Sequence, residues 1–249
     1  MSGLLLAGDV YIDRLTAAGE QQGLIGPINV TSLALNTPSE TKDRISKSKA
    51  SYGQAVDSVA IAQPTEVSIA IDDQPADILA LALLGDVAEI NQASGSVSDV
   101  ASVIPEGNKW VQLPKTNLGE SITVKLASDN STVSPAAYEI NYALGLIRSV
   151  PEGALDTGTA TSVLVSYDHN AISGNRVSGA VRSDIKVRVL LDGQNLVNGK
   201  AVRLDIPQAV LSPTEAVDLL SDEYVSTTLS GKVLLISGET APFYIDQDD

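Results

Sequence analysis

A strict alternation that passes at once into a helical stripe constrains this chain more than any other feature. Between Gln63 and Gly85, Val67, Ile69 and Ile71 alternate with Glu66, Ser68, Ala70 and Asp72. That period of two sets one face of a strand on a core. Asp72-Asp73-Gln74-Pro75 then changes the period. Pro75 suits the first helical position, where an N–H would be unpaired in any case. Asp73 or Gln74 is the expected cap residue, Asp being the better acceptor for free N–H groups. Asp77 adds negative charge near the positive end of the helix dipole. Ile78, Leu81 and Ala82 form one stripe, Leu79 and Leu83 its neighbour, and Gly85 is expected at C′. The expectation is a mainly β protein with one short α-helix laid against its sheet.

The core such a sheet can build is limited by composition. Hydrophobic residues make up 43% of the 249, but the aromatics are seven Tyr, one Phe and one Trp. The core must therefore be thin and made of Val, Ile, Leu and Ala, with subunit contacts supplying part of the burial. Net charge is −15 and the pI near 4.3, a surface that repels nucleic acid and argues against a phosphate-gripping groove. The chain has no cysteine, which excludes disulfides, thiolate metal sites and cysteine nucleophiles. No run approaches the roughly 18 apolar residues of a membrane span. Gly3 to Ala7 is too short, and too poor in preceding positive charge, for a secretory signal. Synthesis in a cytoplasm is expected.

The rest of the chain reads as further strands. Leu4 to Leu15 is a first strand, Ala17-Ala18-Gly19-Glu20 a turn, and Pro27 to Leu35 a second strand. The apolar phase of the second slips between Val30 and Leu33, which a bulge near Ser32 would reconcile. Asn36 to Gly53 then breaks the pattern as a long loop holding Lys42, Arg44, Lys47 and Lys49. It reads either as a solvated face or as a basic arm that docks on an acidic neighbour, another copy of the chain, and orders only on doing so. Asp57 to Gln63 is a strand, and Gly85 to Gly107 an exposed irregular connection. Short strands follow at 110–113, 122–126, 138–142, 146–150 and 162–167, with the spacing of a sandwich or barrel. Gly179 to Leu191 alternates well, and Asp192-Gly193 with Asn198-Gly199 bracket a hairpin connection to Lys200–Ile206. Pro207 ends that strand or places it on an edge. Ser212-Pro213-Thr214-Glu215 suggests a short helix or turn, and Tyr224–Leu229 with Lys232–Ile236 a final pair. No composition break marks a linker, so 1–249 is taken as a single elaborated domain.

Catalytic chemistry has little to work with here. His169 is the only histidine, so a two-histidine relay and a His-rich metal site are excluded. Ser166-Tyr167-Asp168-His169 contains the letters of a triad, but neighbours on a strand point to opposite faces. An exposed histidine at a strand end is the expectation. Neither Asp72-Asp73 nor Asp248-Asp249 has the alternating ligand positions of a calcium loop. Gly23-Leu24-Ile25-Gly26 is too short for a phosphate loop and lacks its lysine. No enzymatic activity, cofactor or metal is expected.

Three stretches together resemble the tail tube protein, or major tail protein, of bacteriophages with long non-contractile tails. They are Gly8-Asp9-Val10-Tyr11-Ile12-Asp13-Arg14 with the Gly26-Pro27 strand and the long polar loop; the central strand, Asp72-Asp73, the Leu-rich helix and Gly85; and Leu190-Leu191-Asp192-Gly193-Gln194-Asn195 with Asn198-Gly199-Lys200 and the strand after it. Their order covers most of the chain. Residues 108–170 match only loosely and are marked as a candidate β insertion.

The resemblance implies a β-sandwich or barrel-like tail tube fold with one short helix and a long inter-ring loop. It also implies a virion protein forming stacked hexameric rings, with 36–53 and its Lys42, Arg44, Lys47 and Lys49 bridging one ring to the next. DNA would cross the lumen without specific binding, and tape measure, tail terminator and tail tip proteins are the implied partners. No membrane contact is implied. Glu66, Ser68 and Asp72 are candidates for the lumen lining, which is expected to be net negative, since their opposites belong to the core. Alternatives are a related tube subunit of a contractile tail or secretion system, or an Ig-like adhesin or carbohydrate-binding module, which an exposed aromatic platform would favour.

Overall fold

The alternation in the central strand has the outcome its period dictates: Val67, Ile69 and Ile71 are buried and Glu66, Ser68 and Ala70 turn the other way. The computed structural model describes residues 3–248. Strand accounts for 54% and helix for 4%, and the described residues form several antiparallel sheets with one short α-helix and no closed barrel, so the mainly β expectation holds. The chain divides into two compact units, Met1–Ala88 with Arg176–Asp249, and Glu89–Asn175.

In chain order the first unit begins with β1 (Leu6–Leu15), β2 (Gln21–Ile28), β3 (Val30–Asn36), β4 (Ser39–Ile45), β5 (Ala55–Ala62) and β6 (Glu66–Ile71), followed by α1 (Ala76–Ala82) and β7 (Asp86–Gln92). Next come β8 (Gly95–Ile104), β9 (Val111–Gln112), β10 (Leu118–Leu126), β11 (Tyr138–Asn141), β12 (Leu146–Ser149) and β13 (Thr161–His169). The chain returns through β14 (Ile172–Ser178) to β15 (Ile185–Asn195), β16 (Ala201–Pro213), β17 (Thr227–Val233) and β18 (Tyr244–Gln247).

One antiparallel sheet of eight strands organises the first unit, in the order β2-β1-β15-β16-β17-β6-β3 with β18 added along β16. Its two end strands, β2 and β3, are consecutive in the chain and separated by Asn29 alone. A single stretch therefore pairs with β1, Ile28 opposite Val10, and then with β6, Val30 opposite Ile71. It can serve both ends only if the sheet folds over, which brings the two inner faces onto one core. Val10, Ile12, Ile28, Ile69, Val187, Ile206 and Leu229 meet there, with Ile78 and Leu81 from α1. Each such side chain contributes about 1.5–3 kcal/mol on full burial. The slip foreseen near Ser32 is present as a register shift between Val30 and Ser32.

The helix ends differ from expectation. Pro75 is itself the cap residue, with extended backbone and no side-chain capping bond. Gln74 is diverted: its Nε2 donates to the Ile71 carbonyl at 3.1 Å, and its Oε1 accepts from the Thr227 hydroxyl at 3.2 Å. Leu84, not Gly85, takes the left-handed position, at φ 50°. The Leu84 N–H then reaches the Leu81 carbonyl at 3.3 Å, and the Gly85 N–H the Ala80 carbonyl at 2.7 Å, a Schellman arrangement. Gly85 is required by space instead, because a Cβ there would lie 2.5 Å from the Ser178 carbonyl oxygen.

Six other readings are corrected. Residues 39–45 are a strand, not loop, and 85–107 holds the whole of β7 and β8. Both had polar or small residues on each face, so no hydrophobic period marked them. Asp192-Gly193 lies inside β15, and the turn falls at Leu196–Gly199. Strand β16 continues through Pro207 to Pro213; the register against β15 shifts between Val187 and Val189, and a proline lacking its N–H is tolerated at such a bulge. Residues 212–215 form no helix, and the final pair of strands is the single strand β17, with Gly231 inside it.

The second unit has two three-stranded sheets, β10-β13-β8 and β11-β12-β9, and 108–170 falls within it. Ile104, Val124, Ile147, Val163, Val165 and Tyr167 form its core. The connecting strands β7 and β14 pair with each other as a two-stranded ribbon.

Gly231 sets the spacing between β16 and β17, since a Cβ would lie 1.8 Å from the Val210 carbonyl oxygen. Gly231→Ala is expected to destabilise the first unit by about 1–3 kcal/mol, the usual range for overpacking. Urea unfolding of parent and variant measures this; coincident midpoints would show that the strands separate freely.

Candidate functional site

Strands β4 and β5 pair from Ser39 opposite Ala62 to Ile45 opposite Ala55, and no residue of either is buried. Asn36 is opposite Glu66 in the main sheet, and past a break at Pro38 and Gln63 the same two strands run on as this arm. The arm thus prolongs the β3–β6 hairpin beyond the sheet. Its tip is closed by the Ser46 N–H on the Gln54 carbonyl (2.8 Å) and the Gly53 N–H on the Ser46 carbonyl (3.0 Å). The hydroxyls of Ser46 and Ser51 lie 2.7 Å apart, and those of Ser48 and Ser51 3.0 Å. A segment expected to order only on docking therefore carries its own hairpin bonds within one chain.

The four basic residues nominated from sequence all lie on this arm, in different settings. Lys42, in the middle of β4, pairs with Glu40 at 3.2 Å. Arg44 is the last residue but one of β4, opposite Asp57 in the ladder, and Lys47 and Lys49 occupy the tip. Arg44, Lys47 and Lys49 make no ion pair among the described residues.

Glu66 and Ser68 lie on the outer face of β6, away from the core. Along the ladders Ser68 is flanked by Ala34 and Ser230, Ala70 by Ser32 and Thr228, and Glu66 by Asn36 and Lys232. The face is a pavement of Ala, Ser and Thr, and its one carboxylate on β6 stands opposite a lysine. Asp72 follows the strand and accepts a hydrogen bond from Asn29 Nδ2 at 2.7 Å.

Elsewhere in the first unit Arg14, Arg182 and Lys186 line a polar cleft of about 310 Å³. Each is engaged. Asp86 accepts from Arg14 Nη2 at 2.8 Å and from Arg182 Nε at 3.1 and 3.2 Å, and Lys186 donates to the Ala17 carbonyl at 2.9 Å. The Arg182 hydrogen bond, then the charges of Arg14 and Arg182, outweigh desolvation and hold the Asp86 carboxyl below its usual range.

His169 corrects another expectation: it is 8% exposed, and its Nδ1 makes no hydrogen bond. It shares the buried face of β13 with Tyr167, while Ser166 and Asp168 face outward, bonded to Asp99 and Ser96. The four residues do not converge. Among the described residues no group of three or more acidic or histidine side chains is placed to hold a metal ion.

These features define a mainly β protein whose distinctive surfaces are an exposed two-stranded arm and a sheet face of small hydroxyl residues. The chain matches the family described as Protein of unknown function UCP028589 over residues 4–241 and belongs to it. No curated protein matches the chain.

Asp86 yields a pH dependence. With its folded-state pKa below the ordinary 3.8, its contribution is complete above that value and lost as pH falls through the lower one. The carboxylate is 42% exposed, so each pair is worth at most about 1 kcal/mol. Asp86→Asn should lower the urea midpoint at neutral pH and converge with the parent in acid. A gap that persists in acid would show that the loss comes from packing.

Proposed function

We propose that this chain is a structural virion protein, a tail tube subunit that forms stacked hexameric rings around a lumen used for DNA ejection. The observation that carries the reading is the arm. A two-stranded ribbon is marginal by itself in water, and here neither face is covered within the chain. Such an element makes sense where a neighbouring subunit covers it. The end strands β2 and β3 add unpaired edges that ring closure would occupy.

On this reading Glu66, Ser68 and Asp72 belong to the lumen side. On that face Lys232 stands opposite Glu66 and Asp72 has no basic neighbour on the ladder, so small hydroxyl residues with a slight excess of negative charge offer DNA no cluster of cations to hold it. The subunit acts without catalysis or cofactor, is made in the host cytoplasm and resides in the virion tail. Its partners are other copies of itself and, by family resemblance, the tape measure, terminator and tip proteins. A tube subunit of a contractile tail or secretion system would use the same surfaces.

One observation favours a second reading, glycan binding by the second unit. The single Trp, Trp110, is 40% exposed, with the Arg148 guanidinium 4.6 Å from its ring centre. Quenching of the Trp110 fluorescence by a glycan would support it.

Mass photometry and negative-stain microscopy of the concentrated protein test the main reading, with hexamers and stacked rings as the expected result. A strictly monomeric species at every concentration would end it.

A further inference from the structure

We infer that the arm of one copy docks on residues 214–226 of a second copy, so that subunits join head to tail; this rests on the reading of the arm as an inter-subunit element. Residues 214–226 link β16 to β17 without strand or helix, and their base is closed by the Thr214 N–H on the Thr228 carbonyl at 3.0 Å. Leu220 is 94% and Tyr224 96% exposed, with Leu219 beside them also in solvent. The segment carries Glu215, Asp218, Asp222 and Glu223 and no Lys or Arg. Two leucines and a tyrosine standing in water among carboxylates describe a surface that lacks its partner.

The distal arm has the complementary character. From Arg44 to Val56 it carries Arg44, Lys47 and Lys49 and no acidic residue, with Ile45, Tyr52 and Val56 exposed. Apolar side chains ringed by positive charge face the same composition ringed by negative charge. Electrostatic complementarity of this kind sets register and orientation.

The ladders decide between docking within a chain and between chains. The arm leaves the sheet at the Glu66 end of β6, whereas Thr227, which follows the segment, is opposite Ile71 at the other end. Strand β6 has six residues and β4 seven more, running away from the segment, so at roughly 3.3 Å per residue the tip is some tens of ångströms from its own chain's segment. The two complementary surfaces lie at opposite ends of one hairpin. Such a heterologous pair propagates from copy to copy instead of closing a twofold dimer.

The absence of cysteine makes the test direct. Tyr52→Cys and Tyr224→Cys, made in separate chains and mixed under a short bis-maleimide, should give a cross-linked dimer well above that from either variant alone. Reversing the arm (Arg44, Lys47 and Lys49 to Glu) should raise the concentration for half-assembly at least tenfold. Reversing the segment (Glu215, Asp218, Asp222 and Glu223 to Lys) should do the same, and both reversals in one chain should restore assembly. All these positions are exposed, and an unchanged circular dichroism spectrum verifies that each variant folds. If arm reversal blocks assembly but segment reversal does not, and no mixed cross-link forms, the arm docks elsewhere and this inference falls while the tube reading stands. A parent that remains monomeric and yields no mixed cross-link removes both.

Discussion

The first unit depends on one connection, the single residue Asn29 between two strands that lie at opposite ends of the same sheet. Nothing else forces eight strands to fold over so firmly. Once β2 is laid on β1 and β3 on β6, the inner faces of both halves have to share one interior. With so few aromatics in the chain, that interior is filled by branched aliphatic side chains. Close packing then falls to the backbone, and tight approaches such as Gly231 on Val210 are its signature. Polar pairs decorate the outside of the same sheet: Arg188 on β15 bonds Asp205 at 2.7 and 3.1 Å, across from the buried Asp13.

What could be read from sequence followed burial. Strand β6 was legible because Val67, Ile69 and Ile71 meet a core and their neighbours do not. Strand β4 was not, because both of its faces are wet and Ser39 to Ile45 has no reason to alternate in hydropathy. Pro207 has the look of a strand end or edge, yet it sits at a bulge inside β16, and Gly231 lies between two expected strands that are one, where it gives β16 and β17 room to approach. The helix is legible, but its caps, expected at Asp73 or Gln74 and at Gly85, are held by Pro75 and Leu84. The basic residues of the arm were visible as composition. That Lys42 is engaged by Glu40, and Arg44 lies in the ladder, while Lys47 and Lys49 sit at the tip, is visible only in the structure. Between residues 212–215, read as a short helix or turn, and Tyr224, read as the start of a strand, the pair Leu219-Leu220 stands among carboxylates with no basic residue, a signal of its own.

Individual contacts at exposed surfaces of this kind are weak, about 0.2–1 kcal/mol per ion pair. Their effect grows by repetition, since linked copies present the second contact at high effective concentration. Under the proposed assembly, modest pairwise affinity repeated over many identical neighbours would give rings that form sharply with concentration and dissociate readily as salt screens their charges.

The ribbon formed by β7 and β14 has a consequence for how this chain varies. The polypeptide leaves for the second unit along one strand and returns along its neighbour, so the excursion begins and ends at adjacent points. Its length is nearly free, because closing a longer loop between fixed neighbours adds only about 0.6 kcal/mol per doubling. The second unit can thus be shortened to a turn, exchanged or replaced by foreign sequence without disturbing the strand order of the first.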